Sequence, residues 1–280
     1  MRRTKTIVQG GIYHVIQRAP GRELIFLEDS DYLLFLHFLK EAAKEFDIEV
    51  FCFALLPNHI HLLLKISKPN LSEAMKSLFA RYAINFNNKY QRKGHVFCGV
   101  YRASLCNDER YLIAVSIYIH LNPLKARLCR EILDYRWSSV IPYIKSIKST
   151  FIKPGFILRV LDDNLDKARR EYRGMLRYTA DIKFENILEN KKAVDKFFVS
   201  FLKRLITKGY RSLSISHHLL DLEEQIEKFK NQKRLSSFQD KQALKYLIQQ
   251  LKARGYSFKE IAQRLNFDRS TLYRITKCNI

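Results

Sequence analysis

Apolar residues recur along this chain with two periods, and the switches between them lay out its elements. IYHVIQR, residues 12–18, alternates with period two after Gly10-Gly11, and Ala19-Pro20-Gly21-Arg22 reads as a turn behind it, so a first strand is expected there. Asp29-Ser30-Asp31 caps YLLFLHFLKEAAKEF, whose apolar residues return every three or four, predicting a helix to about Asp47. IEVFCFALL and HIHLLLKI predict two strands separated by the break Pro57-Asn58. Pro69-Asn70-Leu71-Ser72 opens a second helix, SEAMKSLFARYAINFNNKY, and VFCGVYRASLC predicts a fourth strand. Asn107-Asp108-Glu109 introduces a third helix, RYLIAVSIYIHLN. It is expected to end at Asn122, because the ring of Pro123 disfavours helical geometry in the residue before it.

The order strand, helix, strand, strand, helix, strand is that of the split βαβ unit, an antiparallel sheet with helices on one face and the other face open. The fold class is therefore α+β, ferredoxin-like, over a first domain spanning 1–145. Residues 146–192 mix Pro, Gly, Asp and Arg with short apolar stretches and read as a partly helical connector. Residues 193–280 read as all-α, with AVDKFFVSFLKRLI, the charged DLEEQIEKFKNQKR and a final pair of short helices. That pair, within GYSFKEIAQRLNFDRSTLYRITK, has the pattern of a helix-turn-helix at about 257–277. Ser257 with Glu260 forms a capping box, Asn266 takes the left-handed turn, and Asp268 caps the second helix. Ile261, Ala262, Leu265, Leu272 and Ile275 face inward. Arg269, Ser270, Thr271, Tyr273, Arg274 and Lys277 are left as candidates for groove or phosphate contacts.

Charge narrows the partners. Fifty Lys+Arg against twenty-eight Asp+Glu give a formal +22 over 280 residues, far beyond what solubility needs, and imply a polyanion. Residues 51–100 hold seven basic residues and one acidic, and the last thirty hold seven and two, so both candidate sites sit in positive surroundings. No apolar run reaches the length of a membrane span, and MRRTKTIVQGG has no apolar segment after its positive charges. A cytoplasmic protein is expected. The five cysteines, Cys52, Cys98, Cys106, Cys129 and Cys278, include no C-x-x-C pair and suggest neither a disulfide framework nor a zinc knuckle.

His59-Ile60-His61 is the chemical core of the reading. On a strand, alternation projects both imidazoles from one face and Ile60 from the other, which makes half of a divalent-metal site. Tyr118 and Asn122, four apart on the third helix, share a face. Two imidazoles and an amide oxygen could hold Mg²⁺ or Mn²⁺ with positions left for phosphate oxygens, while a tyrosine hydroxyl attacks phosphorus. A phenol with its ordinary pKa near 10 needs a metal and a basic pocket to act at neutral pH. On residues alone Tyr13, Tyr82, Tyr90, Tyr101 and Tyr111 compete with Tyr118, and His95 or His120 could ligate or shuttle protons in place of Asn122.

Five separated motifs over the first 145 residues resemble the single-tyrosine HUH transposases, in particular the REP-associated tyrosine transposase branch. They are YHVIQR followed by APGRELIF, then FALLPNHIHLLLK, GHVFCGVYRA, YIHLNPLKARL and YRWSS. The resemblance implies that His59 and His61 bind the metal, that Tyr118 is the nucleophile, and that Asn122 completes the metal site. It implies cleavage and rejoining of single-stranded DNA at hairpin-forming repeats through a 5′-phosphotyrosine, with Mg²⁺ or Mn²⁺ as cofactor and a homodimer as a possible state. It further suggests Arg18, Arg22 and Arg102 as DNA contacts beside these motifs. The C-terminal module resembles the DNA-binding extension of longer members, akin to a replication initiator's C-terminal domain. The alternative function is a domesticated repeat-binding DNA regulator with little or no cleavage activity.

Overall fold

The computed structural model describes residues 7–21, 23–106, 109–148, 150–180 and 256–277, with isolated helical positions between 226 and 251. The chain divides into two compact units, Met1–Arg204 and Leu205–Ile280.

In the first unit, β1 (Ile12–Arg18), α1 (Asp29–Glu45), β2 (Ile48–Leu56), β3 (His59–Ile66), α2 (Leu71–Lys89), β4 (Arg102–Leu105) and α3 (Glu109–Lys125) follow one another. The sheet runs β2-β3-β1-β4 with every neighbour antiparallel, which is the ferredoxin-like order that the element sequence predicts. α1 packs on α2 and on β2. An aromatic stack ties the loop between β1 and α1 to the end of the domain: Phe26 lies 4.2 Å from Tyr32, and Tyr32 lies 4.4 Å from Trp137.

Three boundaries differ from expectation. The fourth strand keeps only Arg102–Leu105 of the eleven residues of VFCGVYRASLC, because Gly94 (φ 97°) and Gly99 (φ 65°) turn the chain away from extended geometry ahead of it. α3 does not stop at Asn122 but carries Pro123 inside its last turn and runs to Lys125. The ring removes one N–H, the amide of Ala126 still reaches the Asn122 carbonyl at 2.8 Å, and Arg127 (φ 57°) ends the turn. α1 begins at Asp29, and Asp31 acts from inside its first turn: its carboxylate accepts from the amides of Leu27 and Glu28 at 2.8 and 3.1 Å and from Lys89 Nζ at 2.7 Å.

The sheet face expected to be open is covered by α3, which crosses the side carrying His14 and His61. The described part of the stretch read as a connector also packs on this unit. Ser138 and Ile152 bridge to Ala54 and Val50 along the outer edge of β2, closing an exposed strand edge. Two short helices, α4 (Ile141–Ile144) and α5 (Pro154–Leu161), lead into α6 (Leu165–Thr179), whose Asn164 side chain caps the amides of Asp166 and Lys167. α6 lies against α3 with Tyr172 fully buried.

In the second unit α7 (Phe258–Leu265) and α8 (Arg269–Lys277) form a helical hairpin. The Ser257–Glu260 capping box is present, Asn266 sits at φ 56°, ψ 42°, and Ile261, Ala262, Leu265, Leu272 and Ile275 are buried. The helical runs expected at 193–206 and 221–234 fall largely outside the described residues. Among the described residues, no helix is long and apolar enough to cross a membrane.

Candidate active site

Strand register assembles the site. His59 and His61 leave β3 on the same side, with ring centroids 5.0 Å apart and planes nearly perpendicular. Across the sheet, Ala54, His61, Ile16 and Arg102 form one row, and Leu56, His59 and Arg18 form the next. Arg18 is thus the lateral neighbour of His59, and the exposed Arg102 stands two strands from His61 on the same face. Arg22 lies outside the described residues, and so does the side chain of Lys277. Arg269, Ser270, Tyr273 and Arg274 are exposed along α8 and Thr271 is half-buried. The ring of Tyr273 also packs on Phe258, 5.2 Å away.

α3 brings Tyr118 down onto the histidine face. Its ring stands 5.9 Å from that of His61 and 6.3 Å from that of His14, both edge-on. Asn122, one turn later, donates from Nδ2 to the Tyr118 carbonyl at 3.0 Å. Tyr118 is 1% exposed and Asn122 8%. Burial pushes the phenol pKa well above its ordinary value, and a side-chain hydrogen bond with Asn122 works in the opposite direction. Desolvation holds His59 down to about 4 and His61 well below the usual imidazole range, so both rings are neutral at pH 7, the form that ligates metal.

Each of the two histidines has its Nδ1 engaged. His59 Nδ1 lies 2.7 Å from Asn58 Oδ1, and His61 Nδ1 lies 3.1 Å from Nε2 of His14 on β1. Among the described residues neither Nε2 makes a hydrogen bond. No group of three or more His, Cys, Asp or Glu in a metal-holding arrangement occurs among the described residues. A divalent ion here would rest on the two imidazoles and the amide of Asn122. That donor set suits a cation that keeps several positions for water and phosphate oxygens.

The other candidate ligands are placed elsewhere. His95 is exposed in the loop before β4. His120 is fully buried on the opposite side of α3 from Tyr118, and both its nitrogens are taken: Nδ1 by the Tyr172 hydroxyl at 2.8 Å and Nε2 by Ser139 Oγ at 3.0 Å. Tyr172 donates onward to Ser116 Oγ at 3.0 Å, and Ser139 Oγ lies between the amide and carbonyl of Phe53. His120 is therefore part of a packed polar chain joining β2, α3 and α6. Tyr82 donates to the Ile25 carbonyl in the loop before α1, Tyr90 to Asp31 in α1, and Tyr101 to Ser72 in α2. Of the tyrosines weighed from the residues, Tyr118 is the one whose ring meets His61. His14 was not singled out from the sequence. The signal that finds it is register: antiparallel pairing of β1 with β3 sets it diagonal to His61, opposite Leu63.

Residues 7–122 match the family described as Transposase IS200 like, and residues 243–275 match a helix-turn-helix domain. Among solved structures, similarity is found to a REP-associated tyrosine transposase bound to a REP hairpin, with 15% identity and a TM-score of 0.45 over 55% of this chain and 90% of that one. A protein of Deinococcus radiodurans R1 assigned as a transposase is 19% identical, with a TM-score of 0.31 over 42% of this chain and 95% of its own. No curated protein matches the chain. On the family matches, the chain carries an IS200-like transposase domain over residues 7–122, followed by a helix-turn-helix domain.

Proposed function

We propose that this transposase cuts and rejoins single-stranded DNA beside hairpin-forming repeats, with Tyr118 as nucleophile and Mg²⁺ or Mn²⁺ held by His59, His61 and Asn122. The observation that carries the reading is the meeting of Tyr118 with the H-x-H strand, 5.9 Å from the His61 ring, inside the matched transposase domain. A bound cation would withdraw charge from the scissile phosphate and offset the reluctance of the phenol to ionise.

The protein's own groups do the rest. Tyr118 Oη bonds to phosphorus, the bond from phosphorus to the 3′ oxygen breaks, and the phenolic proton ends on that oxygen as a free 3′-hydroxyl. One phosphodiester replaces another, so the 5′-phosphotyrosine keeps the bond energy, and a 3′-hydroxyl from another strand reverses the step without an external energy source. Asn122 steadies the phenol through its hydrogen bond. Arg18 and Arg102, on the histidine face, hold the strand by its phosphates. Burial of the tyrosine keeps water from competing with the incoming hydroxyl. The exposed face of α8, with Arg269, Ser270, Tyr273 and Arg274, reads duplex such as a hairpin stem, with Thr271 and Lys277 beside it. The hairpin ligand of the similar solved structure agrees with this substrate class.

The near-complete burial of Tyr118 also favours a second reading, a repeat-binding regulator whose site is closed. Incubation with labelled hairpin DNA and Mn²⁺ separates the two. A covalent adduct that disappears in Tyr118→Phe and on adding EDTA supports the nuclease. DNA binding with no adduct in the wild type supports the regulator.

A further inference from the structure

We infer that His14 is a positioning residue that fixes the ring tautomer of His61 so that Nε2 of His61 offers its lone pair to the cation, as Asn58 does for His59. The inference rests on the metal reading above and adds to it residues outside the H-x-H pair.

A neutral imidazole carries one N–H and one lone pair, so whatever engages one nitrogen decides what the other can do. The carboxamide oxygen of Asn58 only accepts; at 2.7 Å it therefore holds the proton of His59 on Nδ1 and leaves Nε2 basic. At His61 the partner is another imidazole, His14 Nε2, 3.1 Å from Nδ1. If His61 Nδ1 donates, its Nε2 is free to ligate. If the proton sits on His14 Nε2 instead, His61 carries its own on Nε2 and is blocked.

The ligating arrangement thus requires His14 as acceptor, with its own proton on Nδ1. The two rings are stacked, 5.3 Å apart with planes at 23°, and each residue is 1% exposed, so packing prevents either ring from turning to another partner. His14 touches the tyrosine ring only edge-on at 6.3 Å, and its one hydrogen bond among the described residues is to His61.

The full-length protein tests this by titration with Mn²⁺ alone in a calorimeter and by nitrogen-15 NMR of the histidine rings without metal. His14→Gln keeps an acceptor at about the position of Nε2, whereas His14→Phe keeps a ring and no acceptor. His14→Phe is expected to weaken Mn²⁺ binding by about 10–100-fold, and His14→Gln to stay within about threefold of wild type. The metal-free wild type should show His61 protonated on Nδ1. Equal affinity in His14→Phe, a His14→Gln as weak as His14→Phe, or a wild-type His61 protonated on Nε2 would each overturn the assignment. A wild type whose Mn²⁺ affinity is unchanged by His61→Ala would overturn the metal reading instead. The NMR measurement needs neither metal nor a folded Phe variant.

Discussion

Two histidine-centred pockets lie on either side of α3, and they differ in what their nitrogens lack. Around His120 both ring nitrogens are hydrogen-bonded, to Tyr172 and Ser139, and the bonds continue to Ser116 and the backbone of β2. Around His61 the rings of His14 and His59 stand 5.3 and 5.0 Å from its own, yet Nε2 of His59 and of His61 makes no hydrogen bond among the described residues. Both pockets are dry enough to keep their imidazoles neutral. Satisfied polar groups in a core rigidify it, whereas ring nitrogens left without a hydrogen bond are open to a new partner. Burial of a histidine therefore says little about its role, and the account of its two nitrogens says much.

The comparison breaks most sharply on His61. His61→Ala is expected to lower adduct formation by about a thousandfold, the worth of several kcal/mol of charge stabilisation, in a protein that still folds at the assay temperature; a loss of adduct no larger than the loss of folded protein would show that the two pockets are alike. His120→Ala should do the reverse. It takes one hydrogen-bond partner from each of the Ser139 and Tyr172 hydroxyls and opens a cavity, costing about 2–4 kcal/mol in unfolding experiments, with Mn²⁺ affinity within about tenfold of wild type.

A smaller effect comes with acid. An unfolded imidazole takes its proton near pH 6.5, whereas folded His120 resists to about 3, so the unfolded chain binds more protons throughout that window. The stability that this ring contributes is complete above pH 6.5 and is lost as pH falls toward 3, by roughly 1–2 kcal/mol at pH 5. The loss between pH 7 and pH 5 should shrink in His120→Gln when thermal unfolding is followed at the two values. The smallest change expected is Tyr172→Phe, about 1 kcal/mol from one hydroxyl, read by denaturant unfolding.

Much of this was legible along the chain because the decisive patterns are local. The short apolar runs IEVFCFALL and HIHLLLKI, broken by Pro57-Asn58, mark both strands, the period of two within a strand places the two histidines on one face, and Ser257, Glu260 and Asn266 mark the helix-turn-helix by capping chemistry alone. What stayed hidden depends on pairing across distance. His14 stands in an unremarkable alternating strand and acquires meaning only when β1 meets β3, 47 residues away. His120 looks like a reserve ligand until Tyr172, 52 residues on, takes its Nδ1. Pro123 promised a helix end, but a proline in the last turn forfeits a single hydrogen bond, and the turn closes around it.

The grip of α6 on α3 has a practical side. Lys125 at the end of α3 donates to the carbonyl of Ala180, and the Tyr172 hydroxyl bridges His120 and Ser116 within α3 itself. A fragment trimmed to the family boundary near residue 122, or even to 145, would strip these partners away and leave α3 with wet polar atoms on what should be its dry side. A piece meant to keep α3 packed therefore extends at least to residue 180, and the helix that carries Tyr118 is braced by sequence lying well beyond the motifs that announce it.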